Sequence, residues 1–179
     1  CGRGNLSFTS INLPRIGIQA KGDLNKFFER LDELLVLCKD QLLERFEIQC
    51  NKRCYNFPFL IEQGVWTDGD KLKPTDRMRK ILKHGSLTVG FIGLAETLKA
   101  LIGKHHGENE EAQKLGLEII EFMRKKTDEF SERHNLNFAL IATPAEGLSG
   151  QGQKRIKERT VEWTENAACL RPAESDRTG

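Results

Sequence analysis

The spacing of apolar residues predicts two long amphipathic helices. After Asp23, a residue type that often caps helices, apolar side chains recur every three or four positions until about Cys50. The same spacing returns between about Glu108 and His134. The intervening positions of both segments are mostly charged, so each helix should lie with one face on a core and the other in solvent.

Shorter apolar segments predict strands. Residues 6–13 alternate between polar and apolar, the apolar side changes face midway, and Pro14 should end the strand. Residues 87–92 and 138–142 are rich in apolar side chains and fit buried strands. A short helix should follow the strand at 87–92 and end at Gly103.

Strands that alternate with long helices predict an α/β fold in which helices cover parallel strands. A chain of 179 residues is long enough for one domain with a substantial core. We assign that domain to residues 1–150. Residues 151–179 are charged and lack a periodic apolar face, so they should form a poorly packed tail.

Charge and cysteine content narrow the functional classes. The formal net charge is +2 with acids and bases interspersed, which argues against nucleic-acid binding. No apolar run reaches the ~20 residues that span a bilayer, and no signal segment opens the chain, so we expect a cytoplasmic protein without membrane contact. Five cysteines, an odd number, fit reduced thiols better than a disulfide framework.

Two segments have the composition of ligand sites. Thr143, Pro144, Ala145 and Glu146 follow a strand and match a helix start, with Thr143 as N-cap and Glu146 completing a capping box. Free amides at such a start bind anions, although a plain capped helix has the same signature. Asn5 lies in a glycine-rich turn, and its amide can both donate to and accept from hydroxyl groups without titrating.

Other polar groups favour structural roles. Cys50 and Cys54 could bind a metal or form a redox pair, but zinc sites usually add a second ligand pair at characteristic spacing. His84 could be a general acid, a phosphate contact or a hydrogen-bonded turn residue. His105 and His106 are adjacent and would not share a helix face. We therefore predict no metal site.

Three segments together resemble a known family. Residues 2–15 (GRGNLSFTSINLPR), 83–96 (KHGSLTVGFIGLAE) and 142–150 (ATPAEGLSG) match, in order, the anaerobic (class III) ribonucleoside-triphosphate reductases. The resemblance covers about residues 2–150. It implies part of a ten-stranded α/β barrel belonging to a glycyl-radical enzyme that converts ribonucleoside triphosphates to deoxyribonucleoside triphosphates. The tail after residue 150 differs from the family and is expected to be foreign to it.

The resemblance also implies roles for the two segments. In the family, the asparagine matching Asn5 lies near the radical cysteine and helps hold the ribose, and the segment matching 143–146 is associated with the substrate's phosphates. Cys1 precedes Gly2 directly, whereas the family's radical cysteine lies further upstream, so Cys1 should not be that residue. We expect Asn5 and the helix start at Thr143 to face one cavity, as ligands gather at one side of α/β sheets.

A full-length relative would carry a glycyl radical, a four-cysteine zinc site and ATP or dNTP effectors. It would act on a ribonucleoside triphosphate with a radical-SAM activase and a second reductase subunit. We recognise no zinc site, radical glycine or radical cysteine in this sequence, and therefore expect an internal fragment that binds no cofactor and is inactive alone. The alternatives are a non-catalytic α/β nucleotide- or phosphate-binding module, or an inactive truncated product.

Overall fold

A computed structural model describes residues 4–63, 66, 68–104, 107 and 109–143. Within these residues three strands alternate with helices. The strands are β1 (Asn5–Asn12), β2 (Ser86–Ile92) and β3 (Asn137–Ala142). The helices are α1 (Leu13–Ala20), α2 (Leu24–Cys50), α3 (Pro58–Glu62), α4 (Arg79–Leu82), α5 (Leu94–Ile102) and α6 (Glu110–His134), with short 3-10 turns at Cys54–Asn56 and Gly69–Lys71.

The three strands form one parallel sheet in the order β1-β2-β3. In register, Phe8 lies opposite Thr88, and Thr88 lies opposite Ala139. The central strand β2 is the most buried of the three, since its neighbours flank it on both sides. The predicted α/β class with parallel strands is confirmed.

The long helices α2 and α6 cover one face of this sheet. Their inward side chains are fully buried, including Leu31 and Leu35 of α2 and Ile119 of α6, and they pack with Leu87 and Val89 of β2. Asp23 caps α2, because its carboxylate accepts a hydrogen bond from the Lys26 amide at 3.2 Å. Both long helices predicted from apolar spacing are therefore present.

Contacts between α2 and α6 combine ring packing with an ion pair. Phe28 and Phe122 meet edge to face with ring centroids 5.3 Å apart. Lys126 Nζ lies 2.7 Å from Asp32 Oδ1, and both side chains are partly shielded from solvent. These contacts fix the spacing of the two helices over the sheet.

Helix α1 was not predicted, because Pro14 was interpreted only as the end of a strand. The structure places Pro14 in the first turn of α1, where a missing N–H has no cost. Asn12 caps the helix by accepting from the Arg15 amide, and the buried residues Leu13 and Ile16 anchor it in the core. At Gly17 the helix approaches α5 so closely that an added Cβ would lie 3.2 Å from Thr97 Cγ2.

The other face of the sheet is not covered by α2 or α6. We call it the open face, and on the strands it consists of Phe8, Ser10, Thr88, Gly90, Ala139 and Ile141. Phe8 is 62% exposed and Ile141 is 49% exposed, whereas Ile11, which lies on the helix-covered face of β1, is buried. This agrees with the predicted change of apolar face along residues 6–13.

Two sequence predictions lie outside the described residues. These are the poorly packed tail over 151–179, with its boundary at 150, and the helix start at Pro144, Ala145 and Glu146. In the part of the chain that is described, no helix is both long and apolar enough to cross a membrane.

Candidate functional site

Asn5 begins β1 and projects onto the open face because of a bulge. The register runs from Asn5 opposite Ser86 directly to Ser7 opposite Leu87, so Leu6 is an extra residue in β1. In a regular strand Asn5, two positions before Ser7, would share the helix-covered side with it, and the bulge moves Asn5 to the open face. Gly85 makes room for it, since a Cβ at Gly85 would lie 2.5 Å from Leu6 Cγ.

The Asn5 amide has a defined partner in the neighbouring strand. Thr88 Oγ1 donates a hydrogen bond to Asn5 Oδ1 at 3.0 Å. Thr88 is only 5% exposed, while Asn5 itself is exposed. With its oxygen engaged by Thr88, the amide has its NH2 group as the donor that could bind a ligand hydroxyl.

Thr143 follows β3 directly and is tied to the two other strands. Its backbone amide donates to the Phe91 carbonyl at 2.9 Å, which extends the β2–β3 ladder by one bond. Its hydroxyl lies 2.7 Å from the hydroxyl of Ser10 on β1. This hydrogen bond crosses over β2 and joins residues 133 positions apart in sequence.

Gly90 is the position over which that bond crosses. A Cβ at Gly90 would lie 2.2 Å from Thr143 Oγ1 and 2.5 Å from Ser10 Oγ, well inside any tolerable contact. The missing side chain at the centre of β2 thus creates the space in which the two hydroxyls meet. Sequence analysis singled out neither Ser10 nor Gly90, although a glycine inside a buried strand often marks a close approach.

Arg45 is a further residue that sequence analysis missed. From α2 it reaches back to β1, where its guanidinium donates to Ser7 Oγ at 3.2 Å, to the Phe8 carbonyl at 3.0 Å and to Thr9 Oγ1 at 3.1 Å. These acceptors lie on the helix side and along the backbone of the strand that carries Asn5 and Ser10. Arg45 therefore fixes β1 from behind the open face.

The structure places Asn5 and Thr143 on the same face but at opposite ends of the sheet. Asn5 pairs with Ser86 at the amino end of β2, whereas Thr143 bonds to Phe91 near its carboxyl end. At about 3.3 Å per residue, their backbone positions are roughly 20 Å apart along the strands.

The polar groups of Asn5 and Thr143 are nearer, because Asn5 Oδ1 is bound to Thr88 and Thr143 Oγ1 lies over Gly90, which is two residues, or about 7 Å, further along β2. Whether one cavity spans both stays a prediction, and the amides of residues 144–146 lie outside the described residues.

The described cysteines do not form a metal or redox site. Cys38, Cys50 and Cys54 are buried free thiols. Burial raises the pKa of Cys38 and of Cys50 to about 11, and it also raises the pKa of Cys54. No group of three potential metal ligands occurs within the described ranges. The residues described here thus do not fit the zinc site that the resemblance implies for a full-length relative.

His84 makes the contacts of a turn residue. Its backbone amide donates to the Ile81 carbonyl at 3.1 Å, just before β2 begins. The side-chain NH2 group of Asn137 donates to the carbonyl of Gly85, the next residue, at 3.4 Å. Neither bond involves the His84 imidazole, so the alternatives for that side chain stay predictions. Cys1, His105 and His106 lie outside the described residues.

The curated relatives that match this chain are anaerobic ribonucleoside-triphosphate reductases. The E. coli (strain K12) anaerobic ribonucleoside-triphosphate reductase is 37% identical over 150 residues, which cover 82% of this chain and 21% of that protein. The reductase of phage T4 is 31% identical over 153 residues, covering 82% of this chain and 23% of its own length. The chain thus spans about one fifth of the curated relatives it matches.

Solved structures show the same fold. The anaerobic ribonucleotide reductase of Thermotoga maritima, crystallised with citrate in its active site, aligns with a TM-score of 0.60 and 19% identity. The alignment covers 81% of this chain and 25% of that one. A family model described as anaerobic ribonucleoside-triphosphate reductase matches residues 1–165, which continues past residue 150, where the resemblance seen in the sequence ends. The chain belongs to the anaerobic ribonucleoside-triphosphate reductase family.

Proposed function

We propose that this chain forms part of the catalytic barrel of an enzyme that reduces ribonucleoside triphosphates to deoxyribonucleoside triphosphates. The observation that carries the proposal is the open face, where Asn5, Ser10 and Thr143 gather polar groups on a sheet side that α2 and α6 leave uncovered. Parallel sheets are normally covered on both faces. Further strands, up to the ten of the family barrel, would enclose this face as a cavity.

Within that cavity the two ends of the open face suit different parts of a nucleotide. The exposed NH2 group of Asn5 can donate to a ribose hydroxyl. Thr143 leads into the segment that would hold the phosphates with Pro144, Ala145 and Glu146. Because Asn5 and Thr143 are separated along the strands, an elongated ligand could place its sugar at Asn5 and its phosphates beyond Thr143.

The overall reaction removes the 2′ hydroxyl as water and consumes two electrons and two protons from an external reductant. Hydrogen abstraction from the ribose would come from a cysteine radical generated by a glycyl radical, with a radical-SAM activase and a second reductase subunit as partners. Nucleotide effectors, ATP or dNTPs, and a zinc site would belong to the same assembly. In this scheme Asn5 orients the ribose.

A graft tests the proposal. Residues 1–150 of this chain would replace the matching segment of the E. coli reductase, and CTP reduction would be measured anaerobically with activase and reductant. We expect dCTP formation. Electron paramagnetic resonance of the glycyl radical shows whether the rest of the graft is intact, so a normal radical signal without turnover would refute the proposal.

Asn5→Ala in the active graft provides the residue-level test. We expect turnover to fall at least tenfold with an intact glycyl radical signal, because an interaction at the reacting ribose contributes mainly in the transition state. Asn25→Ala is a matched control, since this exposed asparagine lies on α2. Full turnover by Asn5→Ala would remove Asn5 from the site.

A further inference from the structure

Two short segments between α2 and β2 pair in antiparallel fashion, away from the open face. We call residues 51–55 and 74–78 the arginine clip, because Arg53 lies directly opposite Arg77 in it. Both arginine side chains are exposed. Neither has a role in the function proposed above, so the pairing calls for its own explanation.

The backbone sets how close the two arginines lie. The Cys54 amide donates to the Asp76 carbonyl at 2.9 Å, and the Met78 amide donates to the Lys52 carbonyl at 3.1 Å. Bonds on either side of a facing pair, with none between its two members, define the closer antiparallel pairing, in which the Cα atoms are about 4.5 Å apart. Cys54 and Met78 are each 2% exposed, so buried neighbours hold the clip against the core.

This pairing brings two like charges together. Like charges directly opposite each other on adjacent strands are destabilising. In the part of the chain that the structure describes, neither clip arginine forms an ion pair, whereas Arg124, for example, is paired with Asp128 at 3.1 Å. An anion held between Arg53 and Arg77 would reverse the sign of their interaction.

Each clip guanidinium is fixed by one neutral acceptor on the opposite segment. Arg53 Nη1 donates to the Thr75 carbonyl at 3.0 Å, and Arg77 Nη1 donates to Asn51 Oδ1 at 3.0 Å. A guanidinium has five N–H donors in a rigid fork, so these bonds orient both groups and use few of their donors. The remaining donors can bind the oxygens of an anion.

We propose that the arginine clip binds a phosphate group, with Arg53 and Arg77 donating to different oxygens of it. A phosphate group carries up to two negative charges and at least three acceptor oxygens, which match two guanidinium groups. A carboxylate carries one charge and two oxygens, and a single arginine satisfies it in bidentate fashion. The paired arrangement therefore favours phosphate.

Tyr55 distinguishes between the two sources of such a phosphate, a nucleotide and free inorganic phosphate. Its amide donates to the Pro74 carbonyl at 2.9 Å, which places it at the end of the arginine clip. Its side chain is 62% exposed, and an exposed aromatic ring can stack on a nucleotide base. Binding of a nucleotide should therefore depend on Tyr55, and binding of inorganic phosphate should not.

The test uses the 179-residue chain and the NMR signals of the arginine Nε–H groups. Titration with inorganic phosphate, at about pH 8 and constant ionic strength, should shift the Arg53 and Arg77 signals to saturation. Arg53→Gln and Arg77→Gln should each weaken this binding about tenfold, as expected for lost hydrogen bonds to a charged group. Arg133→Gln, at an exposed position in the last turn of α6, removes the same charge and should leave the binding unchanged.

The conservative variant separates a built site from diffuse positive charge. Arg53→Lys keeps the charge but lacks the fork, so it should weaken phosphate binding at least threefold. Undiminished binding by Arg53→Lys, equal binding of acetate, or the absence of a saturable shift would each overturn the proposal.

AMP identifies the source of the phosphate. Binding of AMP and inorganic phosphate with equal affinity, as judged by the Arg53 and Arg77 signals, would support a site for free phosphate. Tighter binding of AMP, reduced by Tyr55→Leu to the level of inorganic phosphate, would support a nucleotide site.

Discussion

Thr88 shows how one buried hydroxyl can define the chemistry of an exposed amide. Its hydrogen bond occupies Asn5 Oδ1, so the NH2 group is the half of the carboxamide that can donate to a ligand. In the grafted reductase, Thr88→Val should lower kcat about fivefold with little change in KM, because valine keeps the shape but lets the amide rotate. Thr88→Ser should restore the rate.

Thermal unfolding is the control for the Thr88 variants. Valine fills the same space in a buried site, so the melting temperature should change little even though turnover falls. A rate loss that tracks a lower melting temperature, and that Thr88→Ser does not reverse, would contradict the orienting role.

Only some residues of the candidate site could be predicted from the sequence. Asn5 and Thr143 could be selected because amides in turns and helix-start sequences have recognisable chemistry. Ser10, Thr88 and Gly90 could not, since their importance depends on which residues lie opposite one another in the sheet. Strand register is a property of paired segments that lie about 80 positions apart for β1 and β2 and 51 positions apart for β2 and β3, and neither segment encodes it alone.

At the scale of elements, α2 is the main support of the sheet. Leu35→Ala should lower the free energy of unfolding by about 2 to 5 kcal/mol, because Leu35 is completely buried and its truncation leaves a cavity. Leu37→Ala on the same helix is the matched control, since Leu37 is 52% exposed. Urea unfolding followed by circular dichroism measures both, and equal losses would contradict the burial pattern.

The helices illustrate which elements a sequence predicts well. Apolar spacing located α2 and α6 because each is long enough for its period to be evident, and it located the nine-residue α5 because Gly103 marks its end. Helix α1 is eight residues long and starts directly after β1. Its proline fits either the end of a strand or the first turn of a helix, and only the packing of Leu13 and Ile16 decides between them.

At the scale of the whole molecule, the buried thiols report on the integrity of the fold. Burial raises the pKa of Cys38 from 9.0 to about 11, so at pH 8 the folded chain holds about a hundredfold less thiolate there than the unfolded chain. Cys50 should behave the same way. Iodoacetamide labelling read by peptide mass spectrometry should therefore be slow in buffer and fast in 8 M urea.

The same shift predicts a pH dependence of stability. A folded-state pKa above the unfolded one means that the folded state favours the neutral thiol. The contribution of Cys38 and Cys50 to the free energy of unfolding should be complete below about pH 9 and should decline as the pH approaches 11.

The labelling experiment has a clear contrary outcome. Comparable iodoacetamide labelling rates with and without urea at pH 8 would show that Cys38 and Cys50 are not buried.

Phe8 tests the exposure of the open face. Phe8→Ser should change the free energy of unfolding by less than about 1 kcal/mol, because the ring is already 62% exposed. In sedimentation velocity at high concentration, Phe8→Ser should associate no more than the original chain, since a large exposed apolar group is removed. Phe27→Ser, at a fully buried position, is the contrasting variant and should unfold the protein.

The strand order has a consequence for how the chain folds during synthesis. β1 leaves the ribosome well before its pairing partner β2, which begins only at Ser86, and parallel pairing over such a separation is slow. Arg45 is made well before that point and can already bind Ser7, Phe8 and Thr9. The nascent β1 can thus be held on α2 as a helix-bound segment, with its edge protected from other chains, until its neighbour arrives.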